Sequence, residues 1–109
     1  MSKQLVVVFS NGEKWAIPAE FIARNRAVYL AVEIDGLIPE TTEYNTEVKE
    51  EIEYTLSDDY EIVDWARGNM NWSDLKGAAR KIATVEKKLD YESEWMSTED
   101  DDLSVEDGE

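Results

Sequence analysis

Leu5-Val6-Val7-Val8-Phe9-Ser10-Asn11-Gly12-Glu13-Lys14-Trp15-Ala16-Ile17-Pro18 is the stretch on which the fold turns. Its first five residues are β-branched, aliphatic or aromatic, Asn-Gly is a strong short hairpin signal, and polar and apolar residues alternate from Glu13 to Ile17. The pattern predicts two antiparallel strands joined at Asn11-Gly12. Pro18 suits a first helical position, where a missing N–H is tolerated. A helix is therefore expected from Ala19 to Ile34, closed by Asp35-Gly36, with Phe21, Ile22, Val28, Tyr29 and Val32 on its core face.

Outward from the hairpin, Tyr44, Val48, Ile52 and Leu56 recur at steps of four and predict a second helix over about Thr42 to Leu56. Ser57-Asp58-Asp59 reads as a cap with an acidic first turn for a third helix running through Ile62, Val63 and Trp65 to Arg67, where Gly68 stops it. A strand over Tyr60 to Trp65 is the alternative. Ser73 is placed to cap a fourth helix, in which Leu75, Ala78, Ile82, Val85 and Leu89 form an apolar stripe. Trp65 and Trp72 flank a polar turn, and closing a small core over that loop is favoured there over forming a partner hot spot. The expected fold class is α+β, an N-terminal antiparallel β-hairpin packed against three or four α-helices. Residues 1–91 form one compact domain in this reading, and residues 92–109 an acidic, flexible tail.

Charge limits function more than any motif does. The 109 residues carry 26 Asp and Glu against 11 Lys and Arg, a net charge of -15. Residues 1–39 sum to zero, 40–64 to -9, 65–91 to +3 and 92–109 to -9. Direct binding to nucleic acid or to an anionic membrane is disfavoured, since both need clustered cations. The expected partner is a protein with a basic surface. Cys and His are both absent, which removes disulfides, thiolate nucleophiles, the usual zinc ligands and the usual general base near neutral pH. A non-enzyme without cofactor or metal is expected. Asp100-Asp101-Asp102 fails the calcium-loop pattern, because Val105 falls where the sharp-turn glycine belongs. The five glycines are isolated, so no phosphate-cradling loop is present. The apolar run near the N-terminus is too short for a signal sequence or a membrane span, and a cytoplasmic location is expected.

On a wheel at about 100° per residue, the second predicted helix places Glu40, Glu43, Glu47, Glu50 and Glu51 on one face, beside the Tyr44–Leu56 stripe. Carboxylates three or four positions apart are spaced by about 5 to 6 Å, comparable, with side-chain reach, to the advance of about 3.4 Å per phosphate in duplex DNA. Asp58, Asp59, Glu61 and Asp64 extend the row. Such a row either imitates a phosphate backbone or is a solvated face that maintains solubility. Lys76, Arg80, Lys81, Lys87 and Lys88 of the fourth predicted helix offer internal partners for some of these charges. In the tail, Trp95 amid carboxylates reads as a short docking motif, or as part of a solubilising run, with Asp100, Asp101 and Asp102 beside it. The partner-binding candidates are thus Glu40, Glu43, Glu47, Glu50, Glu51, Asp58, Asp59, Glu61, Trp95, Asp100, Asp101 and Asp102. The alternative is an accessory protein, monomer or homodimer, that self-associates through the apolar stripe of the fourth helix and uses its acidity for solubility.

Two stretches, Phe9 to Pro18 with Ile22-Ala23-Arg24, and Asp64-Trp65-Ala66 with Asn69-Met70-Asn71-Trp72-Ser73-Asp74, resemble small uncharacterised acidic proteins of tailed bacteriophages. The likeness covers roughly the first 80 residues and carries over no site residues. It implies an origin among short proteins that bind and block host nucleic-acid-handling or defence proteins in the host cytoplasm, some of them by mimicking DNA.

Overall fold

The computed structural model describes residues 3–10, 12–83, 90–99 and 102–107. It confirms the α+β class, with the predicted hairpin at the centre of a four-stranded sheet. Strand β1 (Lys3–Val8) pairs antiparallel with β2 (Lys14–Pro18), Leu5 opposite Ile17 and Val7 opposite Trp15. The turn closes through Gly12 N–H to Phe9 O (2.8 Å) and Phe9 N–H to Glu13 O (2.9 Å). Gly12 adopts φ +91°, a conformation that strains any residue with a Cβ.

Helix α1 (Ala19–Tyr29) follows β2 directly, with Pro18 at its cap, and widens into a π-helical turn over Leu30–Ile34. Gly36 ends it at φ +67°. Helices α2 (Thr42–Leu56) and α3 (Asp59–Asn69) come next. The bounds of α2 are those predicted. Helix α3 runs one residue past Gly68, and the strand alternative for Tyr60 to Trp65 is not what forms.

The main core joins the inward face of the sheet, Leu5, Val7, Phe9, Ile17 and Leu103, to Ile22 of α1, Ile62 and Ala66 of α3, and Met70, Trp72, Leu75 and Trp95. A separate cluster of Ala27, Ala31 and Val48, flanked by Val28, Leu37, Tyr44 and Ile52, seats α2 on α1. Two cores in this order leave the outer face of α2 pointing away from the sheet.

The fourth predicted helix is corrected. Among the described residues only one turn of it forms, α4 (Trp72–Leu75), and its cap is Asn71 rather than Ser73: Asp74 N–H donates to Asn71 Oδ1 (3.1 Å), and Asn71 N–H to Asp74 Oδ2 (3.0 Å). After Gly77 the chain extends into strand β3 (Arg80–Ala83), which pairs with β2, Lys81 opposite Trp15. The periodic stripe is divided: Leu75 is fully buried in the core, while Ile82 is 43% exposed. Pairing along the edge of β2 satisfies backbone groups over several residues, which outweighs the weak helical preference of a segment holding Gly77 and β-branched Ile82. The rest of the predicted fourth helix, with Val85, Lys87, Lys88 and Leu89, lies outside the described residues. Among the described residues Leu75, Ala78 and Ile82 do not share one helix on which self-association could rest.

The tail is corrected as well. Helix α5 (Tyr91–Met96) and strand β4 (Leu103–Asp107) return to the molecule, β4 pairing antiparallel with β1 to give the sheet order β3-β2-β1-β4. Leu103 stands opposite Val7 and Val105 opposite Leu5, so these apolar residues join the core face while the alternating polar ones point away from it. Trp95, expected as an exposed docking residue, is 3% exposed, and its indole N–H donates to Met70 O (2.9 Å). Composition counts carboxylates without regard to where they point. Here they sit on outward positions while Trp95 and Leu103 go inward.

A further anchor is Glu13, 1% exposed in the turn. It accepts from Trp15 Nε1 (2.8 Å) and faces Lys81 Nζ (3.8 Å). The Tyr91 hydroxyl also donates to Glu13, and this bond, with burial and the Glu13 charge, holds the Tyr91 pKa above its usual value. Trp15, Trp72, Tyr91 and Phe9 pack around it with ring centroids 5.2 to 5.7 Å apart. A buried carboxylate is tolerated only with such partners.

Candidate interaction face

Helix α2 begins at Thr41, whose Oγ1 accepts from Tyr44 N–H (3.2 Å) while its hydroxyl donates to Ile38 O (2.8 Å). From there the 3.6-residue repeat turns Val48 and Thr55 inward. The same repeat sets Glu43, Glu47, Glu50 and Tyr54 at steps of four, three and four in one outward stripe, and Glu40 precedes it in the connecting turn with φ +69°.

The predicted acidic row divides into carboxylates with internal partners and carboxylates that face solvent. Glu51 belongs to the first kind. Arg26 of α1, its side chain only 15% exposed, donates from Nη1 to Glu51 Oε1 (3.0 Å) and to Thr55 Oγ1 (3.1 Å), and its Nε lies 3.8 Å from Glu61 Oε2 of α3. One guanidinium thus joins three helices. Asp59 pairs with Lys3 Nζ (2.9 Å), which also donates to Leu56 O (2.8 Å) at the end of α2. Asp58 caps α3 by accepting from Tyr60 N–H (3.0 Å) and stays exposed. Asp102 lies at the far sheet edge, where its Oδ2 accepts from Glu99 N–H (3.0 Å). Asp100 and Asp101 lie outside the described residues.

The outward face therefore consists of Glu40, Glu43, Glu50 and Asp58, all exposed, together with Glu47, half-buried beside Asp35. The structure adds two residues to it, Tyr54 and Tyr60, 52% and 69% exposed. Tyr54 was legible in the sequence, because it continues the Glu43-Glu47-Glu50 spacing; a row read by charge alone passes over it.

Replacing Arg26 by Ala leaves Glu51 and Glu61 facing each other without a cation. A loss of about 2 kcal/mol in urea unfolding is expected, as for breaking a partly buried pair. Arg24→Ala, which removes only an exposed contact with Glu20 at 3.8 Å, should change stability by less than about 0.5 kcal/mol. Equal effects would contradict the assignment of Arg26 as the joint.

The stripe carries repulsion that the fold does not relieve. Five Glu and one Lys occupy α2, and like charges at three- or four-residue steps destabilise a helix by about 0.2–0.5 kcal/mol per pair. A hydrogen bond between the Glu47 and Asp35 carboxyl groups, which requires a proton, holds the Glu47 pKa above the ordinary carboxylate value; the charges of Asp35, Glu51 and Glu50 add to the effect. With the folded-state pKa above the unfolded one, this carboxyl favours folding at low pH, and the contribution is lost as pH rises through the folded value. Glu47→Gln, whose amide donates to Asp35 without a proton, is expected to raise the urea midpoint at neutral pH. The difference from the parent should shrink toward about pH 4. A difference independent of pH would contradict the coupling.

Among the described residues no group of three or more carboxylates is placed to hold a metal ion, and no helix is long and apolar enough to cross a membrane. Comparison with protein-family models, curated proteins and solved structures found no match. The face itself is the basis for a functional reading.

Proposed function

We propose that this protein is a non-catalytic interaction protein whose α2–α3 face occupies a basic, nucleic-acid-binding surface of another protein in place of phosphates. Its setting in this reading is the cytoplasm of a bacterial host, with a tailed bacteriophage as the source and a nucleic-acid-handling or defence protein as the target.

The observation that carries the reading is the Glu43-Glu47-Glu50 stripe, which makes no ion pair among the described residues, while the fold pairs Glu51, Glu61 and Asp59 internally. Solubility alone does not require this order, because scattered carboxylates would serve as well without repelling one another along one helix face. Spacings of about 4.5 and 6 Å along the axis suit cations arrayed for a phosphate chain. Opposite potentials steer association and raise its rate more than they add affinity.

Capture from a host lysate on the immobilised protein, at low and high salt, tests the reading. The expected result is one or a few basic DNA- or RNA-binding proteins retained at about 50 mM NaCl, released at about 500 mM, and also released by duplex DNA. Retained proteins that ignore both salt and DNA would sink the proposal.

A further inference from the structure

Charge is only part of what the stripe presents. Tyr54 stands in line with Glu43, Glu47 and Glu50, and Arg26 lies over its ring at 5.3 Å from the centroid, bracing it while half of the side chain stays open. At the other end of the stripe Leu37 is half-buried, and Ile34 and Ile38 are 62% and 71% exposed. Two shallow grooves lie along this face. One, of about 470 Å³, is lined by Asp35, Leu37, Thr42, Glu43, Thr46 and Glu47. The other, of about 440 Å³, is lined by Arg26, Glu50, Glu51 and Tyr54. Each sets a large hydrophobic side chain beside carboxylates.

A phosphate chain has no counterpart for apolar seats beside its charges, so a site that reads phosphates alone would leave these groups unused. Exposed apolar groups rimmed by charge mark a protein-binding surface. The grooves are centred about seven residues apart along α2, or about 11 Å. That is close to two turns of a second helix laid alongside, the spacing of its i and i+7 side chains.

We infer that the segment received by this face is a basic amphipathic helix of the partner. It lies along α2 with an apolar side chain in each groove and its Lys or Arg residues against Glu43, Glu47 and Glu50. This rests on the proposed function and makes it more specific: the acids set the rate of encounter and the salt dependence, and Tyr54 and the Leu37–Ile38 end hold the complex once formed.

Two labelled peptides of equal charge, nona-arginine and a Lys/Leu amphipathic helix, titrated onto the full-length protein at about 150 mM NaCl, provide the test. The Lys/Leu helix is expected to bind at least about tenfold more tightly than nona-arginine. Tyr54→Ala combined with Ile38→Ala should abolish that advantage while leaving nona-arginine binding unchanged and the thermal melt cooperative. Glu43→Gln with Glu50→Gln should weaken both peptides. Equal binding of the two peptides overturns the helix inference and leaves the acidic reading standing, as does an advantage that survives the Tyr54/Ile38 variant. Binding of neither peptide overturns both.

Discussion

Trp95→Ala is expected to lower the unfolding free energy by about 3–5 kcal/mol, the range for deleting a buried indole. The side chain is 3% exposed, lies 6.5 Å from Trp72 between ring centroids, and donates to the Met70 carbonyl. The substitution opens a cavity and leaves that carbonyl without its partner. Against a total stability of about 5–15 kcal/mol for a domain of this size, the variant should unfold at a much lower urea concentration. Met96 provides the internal control: it is 79% exposed, and Met96→Ala should change stability by less than about 0.5 kcal/mol. Trp95→Ala with an unchanged midpoint would mean that the acidic C-terminal segment trails from the domain after all.

Glu43→Lys, Glu47→Lys and Glu50→Lys together should weaken binding to the captured basic partner by about 100-fold or more, about 2.7 kcal/mol. The three changes replace attraction by like-charge contact, which costs several kcal/mol across an interface. Stability should change by less than about 1 kcal/mol, since the three cations repel one another at the same steps as the carboxylates they replace, while the cation at position 47 gains Asp35 as a partner and Glu51 keeps Arg26. Loss of binding with an intact melt distinguishes a docking face from a damaged fold. The same triple substitution leaving affinity unchanged would remove α2 from the interface.

The contrast between these two regions shows what sequence patterns can and cannot carry. Helix α2 was legible to its end residues, because its cap at Thr41 and its apolar repeat are local. The central hairpin was legible for the same reason. The flanking strands were not. Arg80–Ala83 and Leu103–Asp107 become strands by completing the open edges of β2 and β1, which is a property of residues far away in the chain. Trp95 was misplaced by the composition of its neighbours, and Glu13 gave no sign that it would be buried beneath Tyr91 and Lys81. The acidic row from Glu43 to Glu51 does fall on one helix. Its division into Arg26-bound and outward carboxylates depended on where α1 and α3 cross α2, a tertiary fact that no wheel contains.

The central claim is that the outward carboxylates of α2 take the place of phosphates on a basic protein surface. The most direct measurement is the dissociation constant of the captured partner as a function of NaCl, with and without competing duplex DNA, for the parent and for the triple Lys variant. The parent affinity should fall steeply between about 50 and 500 mM NaCl, duplex DNA should displace the partner, and the variant should show a much shallower salt dependence. An affinity indifferent to salt and to DNA, or one that the variant retains in full, would contradict the claim.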